Sequence, residues 1–378
     1  MKIGIFTFHR AYNCGAMLQA WALKTVLERM GHEVFFPKCN NVGETPRWRP
    51  WCNANASGLK FVRSVVAGVT KNLLSIGADG LSQKRYKEFR RRYLPEKEFE
   101  RKSVGNDYDL LVFGSDQIWR PSLCTQDERD VFFIREFGDG VRKIVYAASY
   151  DDKPLVGEEA EMLKNAVVKY DRVSVREKLV ADQLAELTGM AVPVVLDPTM
   201  LLTANDYLSI ECADFPSGEY LYLYTLYATP FIMNTARAVA KRLGLKLVAT
   251  PVYQFSRFGA QCGLTYGVSP DRLISYVNHA KYVMSYSFHG TVFSLLFGKK
   301  FVDLRPKVDE HETRSGSILR QLGVYGRMAN PKTPIDDIVK MLEAGLPLGY
   351  DGKLDCLRRQ SLDWLQCAVN DIQGGIVV

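Results

Sequence analysis

Residues 281–304 read KYVMSYSFHGTVFSLLFGKKFVDL. An apolar run, Lys281–Ser285, leads in, and a helix-like run, Val292–Phe297, leads out toward another strand signal at Lys300–Leu304. A helix between two strands implies parallel pairing with a right-handed crossover. At the handover stand Ser287, Phe288, His289, Gly290 and Thr291. Backbone N–H groups at a helix start lack intrahelical partners and attract anions. A histidine there can meet an anionic ligand with a mobile proton. A local turn with a solvated ring is the competing reading, and this stretch alone leaves both open.

Working outward, the same alternation recurs. Lys2–Phe8 reads as a strand, Ala16–Met30 as a helix stopped by Gly31, and Glu33–Phe36 as a second strand. Helical spacing at Leu59–Leu74 and a basic helix at Gln83–Tyr93 follow. Strand signals return at Asp109–Phe113, Lys143–Ala148, Arg172–Val175 and Val192–Leu196, with helices expected at Val156–Lys169 and Glu177–Thr188. A polar stretch, Thr203–Gly218, reads as a linker. A second series then runs through Tyr220–Leu226, Phe231–Leu243, Leu245–Thr250 and Asp271–Ala280, the last opened by Ser269-Pro270. Helices are expected at Ser317–Leu322, Ile335–Ala344 and Leu354–Ile372. The expectation is an α/β protein of two doubly wound Rossmann-like domains facing a cleft. They divide as 1–210, with a helical insertion around 58–93, and 218–330, followed by a helical segment at 331–378. In such folds ligands lie beyond the carboxyl ends of the strands.

The chain has 378 residues, 47% hydrophobic and 24% charged, as in globular proteins. No apolar stretch reaches spanning length, and MKIGIFTFHR reads as a first strand rather than a signal peptide. A cytoplasmic location follows as an expectation, with reduced thiols: eight cysteines are scattered without a C-x-x-C pair, so neither a disulfide framework nor a zinc site is expected. The net charge of +7 is local, because Arg47–Lys102 holds 14 Lys/Arg against 5 Asp/Glu. Such a segment suits an anionic lipid surface or acidic glycan, or is a solvated helix face. Nucleic acid is disfavoured, since no helix-turn-helix, zinc-finger or RNP-like pattern accompanies the charge.

Four strand exits carry polar residues. His9–Ala16 contains Asn13 and Gly15 at a helix start, a phosphate cradle or a plain βα turn. Gly114-Ser115-Asp116-Gln117 places a carboxylate where it can bind or deprotonate a hydroxyl; an Asx turn is the alternative. Arg176 follows a strand directly, where a guanidinium matches phosphate or carboxylate, or pairs with Glu177 or another acid. The fourth is the His289 turn.

These residues resemble the polysaccharide pyruvyl transferase family. The resemblance rests on TFHRAYNCGAMLQAWAL (7–23), YDLLVFGSDQIWRP (108–121), VSVREK (173–178), VLDPTMLL (195–202), SFHGTVFSLLFGKKFV (287–302) and TRSGSILRQLG (313–323). It implies a glycosyltransferase-B type fold and transfer of pyruvate from phosphoenolpyruvate to two hydroxyls of a sugar, forming a cyclic ketal on a cell-surface glycan or its precursor. Carried over, the family's histidine is His289, its strand-exit arginine Arg176, and its glycine-serine-aspartate turn Gly114-Ser115-Asp116.

Where many relatives have an acidic residue two places before, or a basic one immediately before, the Phe/Leu-His-Gly, this chain has Tyr286 and Ser287. A cation beside the histidine would then come from Arg314 or Arg10. The expected site is His289 and Asp116 as catalytic groups, with Arg176, Ser287, Gly290, Thr291 and Arg314 at the donor. Asn13, Gly15, Gly114, Ser115 and Gln117 line the acceptor side or cleft. No metal or cofactor is needed by this chemistry; the partners are phosphoenolpyruvate and a saccharide, free or lipid-linked, with peripheral contact at the inner membrane face as an option. A nucleotide-sugar glycosyltransferase and a catalytically weak glycan-binding relative are the alternatives.

Overall fold

The computed structural model describes residues 1–39, 83–135, 137, 140–150, 154–251, 268–307 and 313–373, the side chains of 371–373 excepted. The helix expected at Leu59–Leu74 and the segments 40–57 and 253–267 lie outside the described residues.

The first domain begins with β1 (Lys2–Phe6), α1 (Cys14–Arg29), β2 (Glu33–Pro37), α2 (83–93) and β3 (Glu96–Lys97). It continues through β4 (Leu110–Phe113), α3 (Gln126–Phe132), β5 (Arg142–Ala148), α4 (Gly157–Val167), β6 (Arg172–Val175) and α5 (Lys178–Thr188). A short α6 (Ala204–Leu208) stands in the linker. The second domain contains β7 (Tyr220–Thr225), α7 (Pro230–Leu243), β8 (Lys246–Pro251), α8 (Pro270–His279), β9 (Tyr282–Tyr286) and α9 (Phe288–Leu296). Then come β10 (Phe301–Leu304), α10 (Arg314–Gln321), β11 (Met328–Ala329), α11 (Ile335–Glu343) and α12 (Tyr350–Gln373).

All strand pairings are parallel, in the orders β3-β2-β1-β4-β5-β6 and β11-β10-β9-β7-β8. The first order reverses between β1 and β4, the second between β7 and β9. These are the switch points where adjacent crossovers leave in opposite directions and open a crevice at the carboxyl ends. The His9–Gly15 turn follows β1, the Gly114–Gln117 turn follows β4, and the Ser287–Thr291 turn follows β9.

The strand expected at Val192–Leu196 is not formed. It makes a single bridge, Val175 to Val194. Pro193 has no N–H to extend the ladder, although its carbonyl accepts from Val175 N at 3.0 Å. Two short edge strands, β3 and β11, and helix α3 carry too little periodicity to be seen beforehand.

Between the sheets the apolar core is continuous. Trp21 of α1 packs on Tyr207 (5.3 Å between rings), which meets Phe293 of α9 edge-on at 5.0 Å. The two segments after β11 go separate ways. Helix α11 buries Ile338 and Leu342 in the second domain's outer core. Helix α12 returns to the first domain, where Arg358 Nε donates to Met200 O (2.8 Å) and Ser361 Oγ accepts from Leu196 N (2.9 Å). Helix α2 buries Tyr86 and Phe89 in the core and exposes Lys84, Lys87 and Arg91, as a charged helix packed over a domain does. Among the described residues no helix is long and apolar enough to cross a membrane.

Candidate active site

Each polar turn has a local cause. Asn13 caps α1, its Oδ1 accepting from Gly15 N (2.9 Å) and Ala16 N (3.3 Å). Two amides that a phosphate would want are therefore occupied. Helix α9 differs: Ser287 holds its N-cap position without a side-chain hydrogen bond to the first turn. Of the two helix starts considered for an anion, the α9 start keeps its amides.

The turn after β4 is built into the core. Ser115 N donates to Gln19 Oε1 (3.1 Å) and Ser115 Oγ to Ala147 O (2.7 Å). Gly114 has φ +111°, and a β-carbon there would come within 2.3 Å of Tyr146 O. Gln117, expected at the acceptor side, is buried with its amide on Tyr150 O (2.7 Å). Ser115 and Gln117 thus hold the turn together instead of facing a ligand, because buried polar groups must find partners. Half-buried Asp116 accepts from Gln117 N at 2.8 Å through Oδ1, and its carbonyl takes Ser149 N at 3.0 Å.

Arg176 and His289 converge. Arg176 Nε donates to Glu177 Oε1 (2.8 Å) and Nη1 to Asp197 Oδ2 (2.7 Å). The guanidinium lies 4.4 Å from the Phe288 ring centroid, a cation–π contact made across the two domains. His289 Nε2 stands 3.8 Å from the same Asp197 Oδ2. That separation is too long for a hydrogen bond and short enough for strong charge coupling. The His289 ring also fills the space above α1: a β-carbon on Gly15 would fall 2.1 Å from its Nδ1. Gly290 likewise has no room for a β-carbon, with Ser285 Oγ at 2.4 Å and Tyr224 Cδ1 at 2.8 Å. These glycines serve close approach between the domains and behind the helix start.

Asp197, absent from the expected site, is its hub. Its Oδ1 accepts from Thr199 N (3.0 Å) and Oγ1 (2.7 Å), and Oδ2 from Arg176 (2.7 Å), with Ser115 Oγ 3.3 Å away. Burial alone would raise this carboxyl's pKa; His289, Arg176 and Thr199 outweigh it and hold the group well below the usual range. Burial likewise works against the Arg176 charge, and Glu177, Asp197 and Asp116 prevail, raising its pKa further. Three polar atoms in this cluster are enclosed and without hydrogen-bond partners: Arg176 Nη2, Glu177 Oε2 and His289 Nε2.

The remaining expected donor residues stand apart. The Thr291 hydroxyl is buried near the Asp303 carboxyl and, among the described residues, has no hydrogen-bond partner. Arg314 is half-buried at the start of α10, and among the described residues makes no ion pair with the Arg176 cluster. Arg10 pairs instead with Glu96 (3.3 Å), which also faces His9 (3.1 Å) and Arg90 (3.6 Å). The Cys14 thiol meets Tyr86 Oη at 3.0 Å, and burial pushes its pKa up to about 12, so it is a packed small residue.

Two parallel-sheet α/β domains meeting over one polar cluster define a protein of the glycosyltransferase-B architecture. Solved structures of that build align over nearly the whole chain. One is a protein assigned as a UDP-N-acetylglucosamine 2-epimerase from Listeria monocytogenes (TM-score 0.55, 9% identity, 100% of this chain and 97% of that one). Another is the UDP-GlcNAc 2-epimerase of Neisseria meningitidis bound to UDP-GlcNAc (0.51, 10%, 96% and 94%). A third, from Methanocaldococcus jannaschii, gives 0.50 at 9% identity over 92% and 93%. At such identities the likeness concerns the fold. No curated protein sequence matches the chain. The chain belongs to the polysaccharide pyruvyl transferase family, whose sequence profile matches residues 13–304.

Proposed function

We propose that the protein transfers pyruvate from phosphoenolpyruvate to two hydroxyls of a saccharide, closing a cyclic ketal. One observation carries the reading: the Arg176 guanidinium, its Nη2 unpartnered, and the His289 imidazole both border Asp197 beside the uncapped start of α9. Arg176 Nη2 and the α9 amides hold the donor's phosphate and carboxylate. His289 delivers a proton to the enol methylene carbon, and the adjacent carbon becomes electron-poor. A sugar hydroxyl adds there and passes its proton to Asp116. The carbon–oxygen bond to phosphate then breaks, and phosphate leaves with the bonding pair and the proton that Asp116 had taken. The second hydroxyl adds to the same carbon, and its proton returns through the ring. Each positioned acid or base contributes roughly 10²–10⁴ in rate, and oriented donors on the phosphate supply the electrostatic share without a metal or cofactor.

Release of inorganic phosphate from phosphoenolpyruvate, followed against a panel of oligosaccharides, tests this reading. Phosphate release that depends on one class of acceptor is expected, together with thermal stabilisation by phosphoenolpyruvate. Stabilisation by nucleotide sugars alone would replace the donor with a sugar nucleotide. Glycan binding without consumption of any donor would make the chain a weak, binding relative.

Lipid-linked acceptors are favoured by one surface feature. Lys84, Lys87 and Arg91 lie at i, i+3 and i+7 on the exposed face of α2, and among the described residues none is engaged in an ion pair. Basic side chains on one helix face attract anionic headgroups, at about 1 kcal/mol each near the surface. Vesicles containing phosphatidylglycerol should co-float with the protein at low salt and release it at high salt. Absence of binding at low salt removes this contact.

A further inference from the structure

The two ring nitrogens of His289 face fields of opposite sign. Nδ1 sits at the start of α1, where a Gly15 β-carbon would lie 2.1 Å away. A helix N-terminus carries partial positive charge and disfavours a proton on the nearer nitrogen. Nε2 faces the Asp197 carboxylate at 3.8 Å, which favours a proton there. Both fields therefore bias the neutral ring the same way. Of the two nitrogens only Nε2 is enclosed.

Asp197 has little freedom to do otherwise. Thr199 saturates one oxygen through N and Oγ1, and Arg176 binds the other. The backbone on either side is fastened as well. Leu196 N donates to Ser361 Oγ (2.9 Å), Tyr146 Oη to Leu196 O (3.0 Å), and Arg358 Nε to Met200 O (2.8 Å).

We propose that Asp197 is the positioning residue of the site: it fixes neutral His289 as the Nε2–H tautomer and leaves Nδ1 as the nitrogen that exchanges a proton with a ligand in the cleft. The inference rests on the reading of His289 as the proton-transfer group. In the charged ring both nitrogens carry hydrogen; the Nδ1 proton passes to the enol carbon, and the ring returns to Nε2–H.

The test is nitrogen-15 NMR of the full chain labelled at histidine, read at pH about 8.5, where an ordinary imidazole is neutral. The His289 signals are assigned by their loss in His289→Gln. The Nε2–H pattern is expected in the native chain, and a tautomer mixture in Asp197→Asn, with phosphate release slowed by about 10²-fold. An Nδ1–H ring in the native chain overturns the proposal, as does an Asp197→Asn variant with native tautomer and rate. The tautomer is read without substrate. A native Nε2–H ring in a protein inert toward phosphoenolpyruvate therefore keeps Asp197 in place and retires only the donor assignment. Should Asp197→Asn not fold, the native tautomer alone decides.

Discussion

Arg176→Met is expected to remove about 3–5 kcal/mol of folding stability at neutral pH, the usual cost of stripping one partner from a buried ion pair. Methionine replaces much of the stem's volume, so the loss is electrostatic. Asp197 and Glu177, both buried, are left facing each other without the cation between them. The pH dependence identifies the cause. In the native protein the Asp197 pKa is depressed, so its contribution is present above the unfolded-state value near 4 and is lost as pH falls through the folded value. In the variant the same carboxyl has lost one of the charges that hold its pKa down, so it contributes less stability above the unfolded-state value and less is lost as pH falls. The gap between the two proteins in urea unfolding should be widest at pH 7 and narrow toward pH 4.5. A gap independent of pH would mean that packing, and not charge, makes Arg176 important.

His289→Gln should behave in the opposite sense, with the fold kept and turnover lost. The imidazole makes no hydrogen bond through Nε2, and glutamine spans a similar length, so the urea midpoint should move little. Phosphate release should fall by roughly 10²–10⁴, the worth of one positioned acid. Donor-dependent thermal stabilisation should survive, because Arg176 Nη2 and the α9 amides remain. Turnover like that of the native chain would take His289 out of the mechanism.

Much of the architecture could be read beforehand because each buried strand is a short apolar run and several exits carry polar residues. Arg176 stood out because it follows its strand directly, and His289 because it lies at a strand-to-helix handover. Asp197 was not. An aspartate before proline reads as a local cap, and it does cap Thr199; its other oxygen reaches Arg176, 21 residues away, and faces the second domain. Burial of that carboxylate is a property of the assembled domains. The glycines show a similar limit: Gly15 and Gly290 stand out in the sequence at helix starts, and only the fold says that a histidine ring, a tyrosine and a serine approach them. For Ser115 and Gln117, polarity near a strand end pointed to a ligand, whereas their partners are structural.

Helix α12 gives the chain an order of events. Its Arg358 reaches a carbonyl 158 positions earlier, three residues past Asp197. During translation at 5–20 residues per second, that clasp trails Met200 by roughly 8–30 s. Until α12 has been synthesised, the loop that carries Asp197 lacks the clasp that Arg358 supplies.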